Sequence, residues 1–183
     1  LIELYKATGN NKHLQWAKHT FEQTINLFHD DENGAFFDTP KDGENFVLRQ
    51  KSITDSPTPS GNGSAAIVAI YLSRYFNKPE WETLAEEVIN ITLNNTQQAN
   101  YGISTVLQSA EFLLAPRKEI SITGRKSSRN DFERKLSEYF LPNVTIAVGD
   151  HNVYLPIENT LESTDIATAY VCSDFICQLP ATS

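Results

Sequence analysis

Methionine is absent from all 183 residues, position 1 included, and cysteine occurs only twice, at Cys172 and Cys177. Two cysteines in a chain of this length do not make a disulfide scaffold of the secreted kind. The sequence has no apolar run approaching the ~20 residues of a membrane span and no basic-then-apolar leader. It also lacks a cationic excess: 15 Lys and Arg face 23 Asp and Glu, for a net charge of −8. A nucleic-acid backbone or an anionic membrane is therefore not an expected partner. A cytoplasmic protein is expected. The opening segment LIELYKATGN reads as the last turns of a helix ending at Gly9, which suggests a piece of a longer protein.

What is present is a run of helical patterns. Apolar residues at Leu14, Ala17, Phe21, Ile25 and Phe28 mark one helical face over 12–29. An irregular stretch comes next, in which GAFFDT and NFVLRQKS could pair as a hairpin around Lys41-Asp42-Gly43. Ser60 is a candidate N-cap for a helix over 61–76 that is apolar nearly all round, hence buried on all sides. A one-sided helix is predicted over 79–97, with Pro79 near its start, and a further, inner helix over 102–114, stopping before Pro116. Shifting the chain by 68 positions lays Leu4 on Leu72, Ala17 on Ala85, Phe21 on Ile89, Ile25 on Leu93 and Gly34 on Gly102. Enclosed helices alternating with one-sided ones fit a toroid of helical hairpins, and a plain solenoid fits nearly as well.

Beyond Pro116 the period changes. EISITG reads as a strand and SSRNDFERKLSEYF as a helix with a capping-box-like start at Ser128 and Asp131. Phe132, Leu136 and Tyr139 should face inward. NVTIAVG reads as a second strand, parallel to the first, and ATAYVCSDFIC as a third candidate. The expected fold class is mainly α with a small α/β part. Residues 1–116 form the helical-hairpin portion and 117–183 a βαβ-containing cap.

Four segments carry a resemblance: DSPTPSGNGSAA (55–66) leading into an apolar helix, EISITG (119–124), LPNVTIAVG (141–149) and the ending ATAYVCSDFICQLPAT (167–182). The ending is the most specific, through Ala-Tyr-Val-Cys-x4-Cys-x-x-Pro. Together they resemble the C-terminal part of the YyaL-like proteins, thioredoxin-domain-containing proteins related to the spermatogenesis-associated thioredoxin-like family of animals. The resemblance implies a longer protein that begins with a thioredoxin-like domain and continues into an (α/α)6 toroid similar to six-hairpin glycosidases. This chain would supply the last two hairpins and the terminal cap. Its partners would be the rest of that protein and, if the toroid is active, a carbohydrate. An apolar face left by the missing hairpins would favour self-association.

Three places in the chain could carry chemistry. At the helix start near 61, Asp55 and Asp38 are the best pair of carboxylates for glycoside hydrolysis, which needs two at a set separation. Phe36, Phe37, Ser60, Asn62 and Tyr101 would contact the sugar. The competing reading makes Asp55, Ser60 and Asn62 helix caps and the phenylalanines core. His13, His19 and His29 fall on or at the end of an outer helix, where exposure is expected, which counts against an epimerase. In the ending, Cys172 and Cys177 would lie ~16 Å apart on a straight strand. That favours two thiols without chemistry over a disulfide across a turn at Ser173-Asp174, and either over a metal site shared with His151. Finally, ITGRKSS between strand and helix could hold a phosphate, but one glycine is no fingerprint and a solvated loop is the better reading. No cofactor is expected. The leading functional reading is a carbohydrate-related, glycosidase-like toroid. The alternative is a non-catalytic accessory module that positions the thioredoxin-like domain.

Overall fold

A computed structural model describes residues 1–43, 48–95, 102–149 and 166–182. Its elements are α1 (Ile2–Thr8), α2 (Asn11–Phe28), α3 (Gly61–Phe76), α4 (Pro79–Asn95), α5 (Ser104–Leu114), β1 (Lys118–Thr123), α6 (Lys126–Ser137), β2 (Val144–Gly149), β3 (Thr168–Ser173), β4 (Ile176–Cys177) and β5 (Ala181–Thr182). The mainly α class with a small sheet holds. The chain divides into two compact units. One comprises Leu1–Trp16, Arg74–Asn77 and Ala115–Ser183, and the other Ala17–Ser73 and Lys78–Leu114.

The helix boundaries have local causes. Gly9 ends α1 in the left-handed conformation, φ 64°, and its N–H closes on the Tyr5 carbonyl. Ser60 caps α3 as expected, its Oγ accepting the Gly63 N–H at 3.2 Å. Pro79 opens α4, with Glu80 and Glu82 in the first turn, where the helix dipole favours acids. The expected burial of α3 is largely met, since only Gly61 and Ser64 are exposed along it. One of its buried residues is Arg74, 2% exposed, which the apolar reading of this helix overlooked.

In the helical unit, Phe21 on α2 meets Trp81 on α4 edge to face at 5.6 Å. Ala66, Ala69, Ile70, Ala85, Val88 and Val106 are all buried in this unit. Of the expected hairpin, 44–47 lie outside the described residues. The described parts form no strand pair. Asp38 N–H donates to the Gln50 carbonyl at 2.8 Å, and His29 and Phe36 form an isolated bridge.

In the other unit, the sheet runs β2-β1-β3-β4, with β5 also on β3. β1 and β2 are parallel over six residue pairs and α6 connects them, as the sequence predicts. β3 is antiparallel to β1, from Lys118↔Ser173 to Thr123↔Thr168. Buried Arg129 fastens α6 to the end of β1: Nη1 donates to the Gly124 carbonyl and Nε pairs with Glu133, both at 2.6 Å. Tyr5 and Tyr75 meet edge to face at 5.3 Å, and Tyr75 Oη donates to the Ile146 carbonyl at 2.7 Å.

Two details of α6 correct the sequence reading. The helix starts at Lys126 on Arg125, with no side-chain cap, so Ser128 lies inside the first turn and the Ser128–Asp131 box does not form. The helix also stops at Ser137, which leaves Tyr139 58% exposed, while Phe132 and Leu136 are half-buried.

Candidate functional site

The loop that precedes α3 carries most of the predicted site residues, and each has a defined local partner. Asp55 Oδ1 accepts the Ser60 N–H and Oδ2 accepts the Thr105 N–H, both at 2.9 Å. Its own N–H donates to the Gly102 carbonyl at 2.5 Å. One carboxylate thus serves the starts of two helices, α3 and α5. Burial opposes its charge, but the two backbone N–H groups outweigh that cost and hold it below the ordinary aspartate range. Asp38 is exposed. Its carboxylate takes the Ser52 N–H at 3.1 Å and the Ser52 hydroxyl at 2.7 Å.

Asn62 is 1% exposed and binds loop backbone through both ends of its amide. Oδ1 accepts the Phe36 N–H at 2.8 Å, and Nδ2 donates to the carbonyls of Phe36 at 2.9 Å and Ser52 at 3.1 Å. Phe36 is buried, its ring 5.4 Å from that of His29. Phe37 has the Arg49 guanidinium 4.0 Å and the Lys51 ammonium 4.8 Å from its ring centre. Ser60 is buried as the α3 cap. Tyr101 lies outside the described residues. The two carboxylates therefore belong to separate hydrogen-bonded knots, Asp38 with Ser52 and Asp55 with Ser60 and Thr105.

A second charged cluster was not read from the sequence. Lys51 Nζ lies 2.7 Å from Asp30 Oδ2 and also donates to the Gly34 carbonyl. Asp30 Oδ1 accepts the N–H groups of Glu32 and Asn33. Lys51 first, then these donors, hold the Asp30 carboxyl far below its usual range against the cost of burial. The Asp30-x-x-Asn33-Gly34 spacing is a turn signal that could have located this knot; the Lys51 partner has no local signal. His29 is not exposed as expected. Its side chain is 13% accessible, with Nδ1 3.0 Å from Asp31 and Nε2 3.1 Å from Glu87, 58 positions away. Among the described residues no group of three or more His, Cys, Asp or Glu is placed to hold a metal ion. His151 lies outside them.

The cysteines overturn the free-thiol expectation, because Cys172 and Cys177 are disulfide-bonded, with Cα atoms 3.9 Å apart. The straight-strand spacing fails because Asp174 and Phe175 take positive φ values, 48° and 67°, and reverse the chain in two residues. The reversal therefore falls at Asp174-Phe175, one residue beyond the turn considered at Ser173-Asp174. Arg117 holds it: its carbonyl accepts the Asp174 N–H at 2.8 Å and its N–H donates to Asp174 Oδ1 at 2.9 Å. Cys172 and Cys177 then face each other directly across β3 and β4.

No helix among the described residues is long and apolar enough to cross a membrane. No family model matches the chain. It aligns over its whole length with spermatogenesis-associated protein 20 of human, at 24% identity over 192 positions, and of mouse, at 22%. The rat protein of the same name is 21% identical. The chain spans about a quarter, 24%, of the length of these relatives. Its similarity is thus to one segment of spermatogenesis-associated protein 20, covering every residue of this chain.

Proposed function

We propose that this chain is a non-catalytic accessory module of a longer protein, built as a segment of a helical toroid with an α/β cap beginning near residue 117. The observation that carries this reading is the state of the two candidate carboxylates. Both oxygens of Asp55 accept backbone N–H groups at the starts of α3 and α5, and both oxygens of Asp38 are taken by Ser52. A general acid or nucleophile for glycoside cleavage has to present a carboxyl oxygen to its substrate. Here that would mean uncapping a helix or releasing a loop. Ser60 and Asn62 are likewise spent on backbone, and Phe36 is buried where it cannot stack on a sugar.

Apolar side chains on helical surfaces support a role within a larger assembly. Leu4, Trp16, Leu107 and Leu114 are all exposed. The relatives are about four times the length of this chain. On the resemblance read from the sequence, the longer protein carries a thioredoxin-like domain, and the module's work is to position it.

A thermal-shift screen against sugars and sugar phosphates tests this, with Asp55→Asn run beside the wild type. A ligand at a hundred times its Kd adds about 2.7 kcal/mol of stability. No shift is expected with any member of the panel. A shift that Asp55→Asn abolishes, while the variant stays folded, would restore the carbohydrate-active reading.

A further inference from the structure

We infer that Cys172–Cys177 is a thiol–disulfide exchange site, opened at Cys177 by an external dithiol. The two sulfurs are unequal: Cys172 is 3% exposed, whereas Cys177 is exposed on the edge hairpin. Both line an open cleft of about 530 Å³ together with Val171, Ile176 and Lys118. Around it the hairpin displays an apolar rim, with Phe175 65%, Ile176 78% and Leu179 94% exposed. A protein dithiol set in an apolar surface fits this rim and reaches Cys177 first.

The bond is also not what holds the hairpin in place. It closes a loop of only four intervening residues, where a crosslink removes little chain entropy. The turn is fixed independently by the two Arg117–Asp174 hydrogen bonds, by the Arg117 guanidinium 4.7 Å from the Phe175 ring centre, and by Gln178 N–H donating to the Val171 carbonyl. β3 keeps its six-pair register on β1.

Atoms and electrons balance over two exchanges. A thiolate of the dithiol attacks Cys177 Sγ. A bond forms between the two sulfurs, the Cys172–Cys177 bond breaks, and its electron pair leaves on Cys172 Sγ, which then takes a proton. The second thiol of the reductant attacks the first and expels Cys177 as a thiol. Two electrons pass to the hairpin, and the dithiol becomes a disulfide. Glu119, opposite Cys172 in the register, would oppose the leaving Cys172 thiolate, but Arg117 Nε pairs with that carboxylate at 2.6 Å.

The test uses the whole chain with dithiothreitol, quenched by alkylation and read by mass spectrometry, in native buffer and in urea. Native reduction within about tenfold of the urea rate is expected, with the far-ultraviolet circular dichroism unchanged. A bond that resists native reduction but opens promptly in urea would make it a staple and overturn the inference. With oxidised glutathione, Cys172→Ser should form a mixed disulfide at Cys177, and Cys177→Ser should leave Cys172 unmodified. The reverse order would overturn the choice of Cys177 as the attacked sulfur.

Discussion

The described parts of residues 2–34 and 70–102, related by a shift of 68, share a backbone plan and differ in the connection each makes to its next helix. Each begins with the end of a helix that stops on a left-handed residue, Gly9 at φ 64° and Asn77 at φ 51°. Each continues into a long helix, α2 or α4, and reaches a glycine with positive φ, Gly34 at 71° and Gly102 at 82°. Ala17 and Ala85 are both buried, as are Phe21 and Ile89. After Gly102 only Ile103 intervenes before α5, whereas after Gly34 the chain takes residues 35–60 to reach α3. That insertion holds Asp38, Asp55 and Ser60. Its far end is stitched to the second copy, with Asp55 N–H on the Gly102 carbonyl and Asp55 Oδ2 on the Thr105 N–H. The short copy, with only Ile103 before its helix, borrows its cap from the long one.

The borrowed cap can be broken directly. Asp55→Ala leaves the Ser60 and Thr105 N–H groups without their acceptor, and each such loss costs on the order of 1–2 kcal/mol. A total of about 2–4 kcal/mol is expected in urea unfolding, more than Asp38→Ala should cost, since Asp38 serves only Ser52. Equal losses would mean that the two carboxylates do the same work.

The paired glycines sharpen the comparison at smaller amplitude. A Cβ at Gly34 would lie 2.6 Å from Ile91 Cδ1 and 2.7 Å from Glu87 Oε1, on top of the strain of positive φ. At Gly102 the nearest atom is the Asp55 carbonyl oxygen at 3.3 Å. Gly102→Ala should therefore cost about 1 kcal/mol, mostly conformational, and Gly34→Ala more. The reverse ranking by thermal denaturation would undo the assignment of which copy is tighter.

Acid should expose the smallest difference. Asp30 and Asp55 both ionise more readily folded than unfolded. Their stabilisation is complete above the unfolded aspartate value of about 3.9 and is lost as pH falls through the lower folded values. Lys51→Met removes the main partner of Asp30, so its folded value should rise toward the unfolded one, and the acid limb should end at higher pH with a smaller total loss. An acid limb that Lys51→Met leaves unmoved would detach Lys51 from Asp30.

Most helices are legible in the sequence because their signals are local. Apolar spacing places α2, α3, α4 and α5, and Ser60 and Pro79 mark two starts that the structure keeps. The parallel β1–α6–β2 unit is legible for the same reason. The misread end of α6 is a local failure too: aromatic residues at Tyr139 and Phe140 continue the apolar pattern past the last helical turn at Ser137. The charged knots are not legible. His29 and Glu87 are 58 positions apart, Asp55 and Thr105 are 50 apart, and no spacing rule links either pair.

Local and distant determinants part most clearly at Cys172 and Cys177. Periodicity by itself determined the helices, the repeat of 68, the strand–helix–strand order and the strand character of the ending, because each rests on contacts within a few residues. Tertiary structure decided which carboxylates were spent, through backbone N–H groups arriving from distant helix starts. It also decided that the cysteines meet. Asp-Phe carries no glycine to announce a reversal, and Arg117, from the start of the neighbouring strand, supplies the two hydrogen bonds that hold it.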